Sequence, residues 1–268
     1  MQKAEQTMKI SVITPVYNGE KYIRRTVESI LSQQGDFELE YIVCDGKSTD
    51  STLQILEEYK DRCIIVSRKD GSPQAAINSG MEMATGEIGC WLNADDVFEP
   101  GTLQTVAETF RKHPDCQWLY GRCRIIDEHD REIRKPITLY KNLLGYFYSR
   151  TVLLCENFIN QPCTFWKMDL WRQVDKLSGK YRAAWDYELW MNMANKARPI
   201  HVRKLLASFR RHSESISQNN FDKQFNEELE IAGKYGNAVT AFLHWVNARK
   251  IVWIYKLLAI FADRNKKS

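Results

Sequence analysis

Several features that would define a function class are missing from this sequence. Its seven cysteines form no Cys-x-x-Cys pair and no framework spacing, which indicates reduced thiols rather than a disulfide scaffold. Acidic and basic residues are interspersed, and a net charge of +4 without a long Lys/Arg block gives no basis for nucleic-acid binding. The first ten residues lack the apolar segment of a secretory signal. Together these absences predict a cytoplasmic protein that binds no nucleic acid.

Two familiar phosphate-binding motifs are also missing. A P-loop needs a glycine five positions before its Gly-Lys-Ser, but Tyr41 stands at that place ahead of Gly46. A dinucleotide fingerprint after the first strand is absent as well, since the stretch TPVYNGEKY contains a single glycine. Walker-type nucleotide binding and ordinary NAD chemistry are therefore excluded.

What the sequence does contain is an alternation of strand and helix patterns in its first half. Near-continuous apolar runs at 9–17, 39–45, 63–68 and 87–93 are each followed by an amphipathic helical pattern. Pro73 suits the first turn of the third helix. Four such units predict an α/β fold with a mostly parallel sheet flanked by helices on both faces.

Polar side chains collect at the predicted carboxyl ends of these strands, where parallel sheets bind ligands. A single acid there is usually a turn residue or a helix cap, but clusters after all four strands indicate a functional edge. The clusters consist of Tyr17 and Asn18, then Asp45, then Asp70, and finally Asn93, Asp95 and Asp96.

Seven stretches resemble glycosyltransferase family 2 in order and spacing, and they extend over residues 8 to 217. They are SVITPVYNGEKYI, DGKSTDST, KDGSPQAAINSG, LNADD, QPCTFWKMDLW, AAWDYELW and RRHSESIS. The resemblance is greatest to members that build bacterial surface polysaccharides. It implies a GT-A domain over 1–217, with a nucleotide-sugar half at about 8–115 and an acceptor half at about 116–217, and a C-terminal helical extension over 218–268.

The resemblance also implies a nucleotide-diphospho-sugar site. Tyr17 and Pro15 would pack against the base, and Asp45 would accept a hydrogen bond from its edge. Alternatively, Asp45 caps a helix and Glu20 is an acid favoured by a helix dipole. The residues carried over to this site are Pro15, Tyr17, Asn18, Glu20, Asp45, Asp70, Asn78, Asn93, Ala94, Asp96 and Gln161.

A divalent metal site, for Mg²⁺ or Mn²⁺, is implied by the family's D-x-D motif, although Asn93 replaces its first acid here. Asp95 would bind the metal, and His212 would reach the metal or the diphosphate. Asp96 either orients this loop or touches the sugar. The alternative is an acidic turn that caps the next helix. Arg210 and Arg211 are candidate pyrophosphate ligands.

The catalytic base implied by the resemblance is Asp186, which would deprotonate the acceptor hydroxyl in a single inverting displacement. The family's neighbouring acid is replaced by Trp185, and Glu188 is a second candidate. A plain acid in the first turn of a helix is the alternative reading.

The predicted function is transfer of a sugar from a UDP-sugar to a glycan or lipid-linked acceptor in surface polysaccharide synthesis. Two other readings stay open. The chain could be a non-catalytic module that binds a nucleotide sugar or glycan, because two motif acids are replaced. A nucleotidyltransferase uses a related sheet but needs a glycine-rich loop that the N-terminal stretch does not provide.

The most apolar segment, 238–268, contains no uninterrupted run of the ~20 residues that a spanning helix needs. Its Trp, Leu and Ile residues alternate with Lys and Arg, which is typical of a helix that lies on the anionic inner face of the cell membrane. Packing against the catalytic domain or against a second copy in a homo-oligomer is the alternative.

Overall fold

The four predicted strand–helix units are present in the computed structural model, which describes residues 7–213 and 221–265 and the side chains of the last two helices over 223–251. Pro73 begins the third helix, and the Ser72 hydroxyl accepts a hydrogen bond from the Ala75 amide as its N-cap. The first-half elements are β1 (Lys9–Val16), α1 (Ile23–Leu31), β2 (Glu38–Asp45), α2 (Thr52–Glu57), β3 (Ile64–Ser67), α3 (Pro73–Met83), β4 (Ile88–Trp91), β5 (Val97–Phe98) and α4 (Thr102–Lys112).

The second half adds longer strands and most of the helices around the ligand edge. Its elements are β6 (Trp118–Ile126), β7 (Glu132–Ile133), α5 (Lys135–Tyr146), α6 (Arg150–Cys155), a 3₁₀ turn (Gln161–Cys163), β8 (Thr164–Lys167), α7 (Met168–Gln173), α8 (Trp185–Lys196), β9 (Ile200–Arg210), α9 (Phe221–Tyr235) and α10 (Ala238–Asn265).

Both halves contribute to one sheet, which has nine strands within the described residues. Eight of them follow the order β3-β2-β1-β4-β8-β6-β9-β5, and β7 pairs with β6 at the side. The first four strands along this path are parallel, as predicted, whereas β8 runs antiparallel to both of its neighbours. The α/β fold with a mostly parallel sheet is therefore confirmed, and the second half extends the sheet of the first.

The core lies on both faces of this sheet. One face is mainly aliphatic, and the other is built around tryptophans. Trp91 stacks on Trp190 at 5.8 Å between ring centroids, and Trp166 is fully buried beside both. Close packing needs a glycine in α3, because a Cβ at Gly80 would meet the Ile13 side chain at 2.7 Å. The seven cysteines are free.

The C-terminal helices pack against the rest of the chain. His244 of α10 contacts the Leu154 carbonyl oxygen through Nδ1 at 2.9 Å, and the Asn247 amide donates to the Cys155 carbonyl. In the part of the chain that the structure describes, no helix has the length and apolarity to cross a membrane. The predicted domain boundary at 217/218 and residues 214–217 of the His212 motif lie outside the described residues.

Candidate active site

A cavity of about 780 Å³ opens at the carboxyl ends of β1 and β4. One side of it is lined by the loops that follow these strands, and other parts by α5, α9, α10 and the first turn of α8. Nine of the predicted site residues line it: Pro15, Tyr17, Asn18, Asn93, Ala94, Asp95, Gln161, Asp186 and His212. Asp95 and Asp186, which the sequence analysis assigns to the metal and to the base, therefore share one cleft.

Asp95 and His212 meet although 117 positions separate them in the chain. Asp95 follows β4, His212 follows β9, and the Nε2 atom of His212 lies 2.9 Å from Oδ2 of Asp95. The His212 ring is nearly buried and packs against the Tyr22 ring at 4.7 Å between centroids. A carboxylate oxygen and an imidazole nitrogen are thus presented side by side in the cavity.

This pair fits a divalent cation that is shared with a bound diphosphate. Within residues 7–213 and 221–265, no group of three or more His, Cys, Asp and Glu side chains is arranged to hold a metal. Mg²⁺ is commonly held by one or two protein ligands, with substrate phosphates and water completing its shell. The two side chains therefore suit a metal that binds together with the donor better than a permanently resident one.

Arg210 holds the Asp95 loop in place. Its side chain is fully buried, donates from Nε to the Asp95 carbonyl oxygen at 2.8 Å, and pairs through Nη1 with Asp130 at 2.6 Å. Its backbone amide donates to the buried Asp96 carboxylate at 2.8 Å. Burial and then the Asp95 charge raise the pKa of Asp96. The structure thus places Arg210 and Asp96 beneath the loop, while Arg211 lines the cavity.

Asn93, which replaces the first acid of the D-x-D motif, is fixed by two consecutive amide hydrogen bonds. Its Nδ2 donates to the Gln161 side-chain oxygen at 3.1 Å, and Gln161 Nε2 donates to the Trp91 carbonyl at 2.7 Å. These two hydrogen bonds connect the end of β4 to the 3₁₀ turn before β8. A neutral amide suits this place because it donates to a neighbouring amide oxygen, which an ionised carboxylate cannot do.

Two other predicted donor residues shape the loop after β2 instead of lining the cavity. The Asp45 carboxylate is fully buried and accepts hydrogen bonds from the Lys47 amide at 3.1 Å and the Ser67 hydroxyl at 2.5 Å. Glu20 accepts from the Ser51 amide at 2.8 Å. Direct contact of either carboxylate with a nucleotide stays a prediction.

Asp70 and Asn78 also lie outside the cavity lining. Asp70 pairs with the Arg68 guanidinium at 2.8 Å. Asn78 uses both ends of its amide on the backbone of Leu177, donating to the carbonyl at 2.9 Å and accepting from the amide at 3.2 Å. It thereby anchors the segment that leads into α8, and a direct contact with the donor stays a prediction.

Asp186 stands in the first turn of α8 and lines the cavity. Burial, and then the negative charge of Glu228, raise its pKa to about 7, while the Tyr187 amide donates to its Oδ1 at 2.8 Å. A carboxylate whose pKa is near the working pH is a stronger base than an ordinary aspartate and is still partly ionised. Glu188, the second candidate, is buried outside the lining and paired with Lys234 at 2.8 Å. Trp185 stacks on Trp91 beside the cavity.

Sequence reasoning missed the polar groups that α9 and α10 bring to the cavity. Buried Glu228 accepts hydrogen bonds from Asn157 at 3.1 Å and Gln224 at 3.0 Å, and its Oε2 lies 3.5 Å from His244 Nε2. Burial opposes both charges, but the pairing lowers the pKa of Glu228 and raises that of His244. In the sequence, the sign of these groups is His244 within an apolar segment. A histidine buried in the core with its hydrogen bonds satisfied would give the same pattern.

Fold and site together define a GT-A glycosyltransferase: a sheet parallel at its nucleotide end, with an acid and a histidine after β4 and β9 and a carboxylate facing the same cleft. The family model for glycosyl transferase family 2 matches residues 11–169, more than half of the chain. The chain belongs to glycosyl transferase family 2.

Curated relatives agree with this family. A chondroitin synthase of Escherichia coli is 26% identical over 91% of the chain. The poly(ribitol-phosphate) β-N-acetylglucosaminyltransferase TarS of Staphylococcus aureus is 36% identical over 58% of the chain. The matches cover 36% and 30% of these relatives' own lengths, so the chain spans less than half of either.

Solved structures share the fold. The S. aureus TarS structure in complex with UDP-GlcNAc superposes with a TM-score of 0.64 at 22% identity, covering 84% of this chain and 65% of the other. A mannosyltransferase of Pyrobaculum calidifontis in complex with GDP-Man and Mn²⁺ gives 0.67 at 18% identity, covering 91% and 70%. At these identities the likeness establishes the fold alone.

Proposed function

We propose that this protein transfers a sugar, with inversion, from a UDP-sugar to a hydroxyl group of a glycan or lipid-linked acceptor in surface polysaccharide synthesis. The observation that carries the proposal is the single cavity lined by both the Asp95–His212 pair and Asp186. A transferase needs the leaving diphosphate and the attacking hydroxyl in one cleft, and these groups suit the two ends of such a reaction.

The donor would lie over the ends of β1 and β4. The Tyr17 ring is 64% exposed at the cavity and free to pack against a base, with Pro15 beside it. Support for a UDP-sugar comes from the TarS structure, which was solved with UDP-GlcNAc.

Asp95 and His212 would hold Mg²⁺ or Mn²⁺. When bound, the ion neutralises the charge that develops on the departing diphosphate. Mn²⁺ in the P. calidifontis structure supports a divalent ion of this kind. The hydrogen bond from Arg210 to the Asp95 carbonyl oxygen holds the Asp95 loop, so that the carboxylate would be positioned before the donor arrives.

Asp186 would act as the general base. The acceptor oxygen attacks the anomeric carbon as its proton passes to the Asp186 carboxylate, while the bond from that carbon to the diphosphate oxygen breaks. A single displacement inverts the anomeric centre and needs no covalent intermediate on the protein.

The test is a donor screen by thermal shift with UDP-, GDP- and dTDP-sugars, with and without Mn²⁺, followed by assays of donor turnover. We expect UDP-sugars with Mn²⁺ to give the largest rise in Tm, and Asp95→Asn to abolish the part that depends on metal. Asp186→Asn should keep the donor shift and lose about 100-fold or more of turnover. Equal turnover by wild type and Asp186→Asn would contradict the proposal and favour a non-catalytic sugar-nucleotide module.

A further inference from the structure

We propose that the part of the cavity between α5, α9 and α10 is an acceptor subsite for a sugar or polyol that carries a negative charge, with Lys141 as its ion partner. This inference rests on the proposed transferase function. It assigns a substrate class to a region in which α5 lies within the stretch matched by the family model, whereas α9 and α10 lie beyond its end at residue 169.

Helix α5 turns one face to the cavity and the opposite face to solvent. Pro136, Ile137, Tyr140 and Lys141 line the cavity at the spacing of one helical face, whereas Leu139 is 68% exposed. Lys141 is therefore directed into the cleft by the helix that carries it.

Lys141 stands out among the lysines of the cavity because it has no partner. In the part of the chain that the structure describes, its ammonium makes no hydrogen bond and no ion pair. Burial raises the pKa of Asp186 and that of Glu156, and the charge of the nearby Lys141 partly offsets both rises. Lys250 donates to the Tyr140 hydroxyl at 2.7 Å, and Lys21 pairs with Glu128 at 2.9 Å. A half-buried cation without a direct partner is available to a ligand.

The same region offers hydrogen-bond acceptors to sugar hydroxyls. Asn157 Nδ2 donates to Glu228, but Asn157 Oδ1 is buried without a donor within the described residues, and both side chains line the cavity. Asn247 and Gln224 line the same region. Amide side chains that line a cavity are the kind of group that orients the hydroxyls of a sugar or polyol.

The position of Lys141 near Asp186 decides which substrate carries the charge. The donor diphosphate is assigned to Asp95 and His212, whereas Lys141 influences the base that receives the acceptor proton. Because Lys141 and Asp186 line the same cavity, the anion belongs to the acceptor. A carboxylate of a uronic acid and a phosphodiester of a polyol chain both provide it.

The experiment compares acceptor preference in the full chain. The probes are oligosaccharides that end in a uronic acid, the same oligosaccharides after reduction of the carboxyl group, and phosphodiester-linked polyol oligomers. We expect wild type to prefer one acidic series over the neutral one, with the preferred series identifying the source of the charge. Lys141→Gln should reduce the ratio of kcat/KM values, acidic over neutral, about tenfold, which is ~1.4 kcal/mol.

Two further variants make the comparison specific. Lys141→Arg should keep the preference for acidic acceptors, and Lys135→Gln should leave it unchanged, because Lys135 is exposed on the same helix outside the cavity. Each ratio of kcat/KM values, acidic over neutral, is taken within one variant. A change in the pKa of Asp186 affects both acceptors alike and therefore does not change the ratio. Equal use of acidic and neutral acceptors by wild type, or a rise in donor KM instead of acceptor KM in Lys141→Gln, would overturn the inference. If the inference about the acceptor fails but the protein still hydrolyses the donor, the proposed transferase function stands. If the donor is not hydrolysed or transferred at all, both proposals fail.

Discussion

Asp186, the proposed base, would serve the reaction at a cost in stability. Its pKa is raised to about 7 in the folded protein, so its proton is lost at a higher pH in the folded than in the unfolded chain. The contribution of Asp186 to stability is therefore largest at low pH, where the group is protonated in both states. It is lost as the pH rises from the unfolded pKa toward 7, because the unfolded chain ionises while the buried group keeps its proton.

Asp186→Asn should consequently raise Tm, and the gain over wild type should increase between pH 5 and pH 8. We expect a difference of about 2 °C or more at pH 8, measured by differential scanning fluorimetry. Glu188→Gln is the matched control on the same helix, because Glu188 lies outside the cavity and is paired with Lys234. A gain that does not change with pH would contradict the assignment of the raised pKa.

The neighbouring Glu228 should set the pH at which the base works. Removing its charge in Glu228→Gln favours ionised Asp186, so the acidic limb of the kcat/KM profile, near pH 7 in wild type, should move to lower pH. The positive charge of Lys141 acts in the opposite direction and stays in place. Glu156→Gln, which removes a carboxylate held by Tyr140, should leave the limb where it is. A limb that does not move in Glu228→Gln would contradict the coupling.

At this scale the sequence predicts positions better than contacts. The motifs after β1 and β4 bring Tyr17, Asn93 and Asp95 to one cavity, because strand ends share an edge of the sheet. Asp45 and Asn78 belong to the motifs that follow β2 and β3, but their side chains form hydrogen bonds with backbone groups. Which of two polar neighbours faces the ligand depends on tertiary contacts that no local pattern encodes.

Among the elements, α9 holds the turn that leads into α8, the helix of the proposed base. The Glu227 carboxylate accepts hydrogen bonds from three successive backbone amides in the turn that leads into α8, those of Arg182 at 3.0 Å, Ala183 at 2.7 Å and Ala184 at 3.1 Å. From the opposite side, Asn78 of α3 holds Leu177. The segment before Asp186 is thus held between two helices.

Glu227→Gln should therefore lower both stability and activity. A neutral amide cannot accept from three amides as strongly as a carboxylate, so we expect the free energy of unfolding to fall by about 1–2 kcal/mol in urea titrations. The kcat for transfer should fall more than donor affinity, because the base and not the donor site is displaced. Glu230→Gln, an exposed position on the same helix, is the control and should change stability by less than ~1 kcal/mol. Equal effects of the two variants would show that the turn does not depend on Glu227.

Element prediction succeeds where the pattern is periodic and fails where tertiary packing decides. The four strand–helix units follow from apolar runs and turn residues. The two-residue strands β5 and β7 have no such signal, since they exist only through pairing with β9 and β6. The pattern of the C-terminal segment predicts either membrane binding or packing on the domain. One side of α10 packs on the domain, and its other side is apolar and exposed.

At the scale of the whole molecule, the outer face of α10 is apolar and exposed. His244, Asn247 and Lys250 line the cavity, while Val239, Phe242, Leu243 and Val246 are 40–67% exposed on the other side. Arg249, whose guanidinium lies 5.3 Å from the Trp245 ring, adds positive charge. An apolar stripe beside basic residues is typical of helices that bind anionic membranes, and we propose peripheral contact with the inner face of the cell membrane.

The double variant Phe242→Glu/Val246→Glu should separate membrane binding from catalysis. We expect the wild-type chain to float with phosphatidylglycerol-rich vesicles in a density gradient and the variant to stay in the dense fraction. Both changes lie on the exposed face, so thermal stability and donor turnover should match wild type, unlike a deletion of 238–268, which would remove part of the cavity. Light scattering without lipid provides the second readout: a wild-type dimer that becomes monomeric in the variant, with no flotation of either, would assign this face to a second copy of the chain. Flotation of both proteins alike would exclude the stripe as the membrane contact, because two carboxylates at its centre oppose insertion beside anionic headgroups.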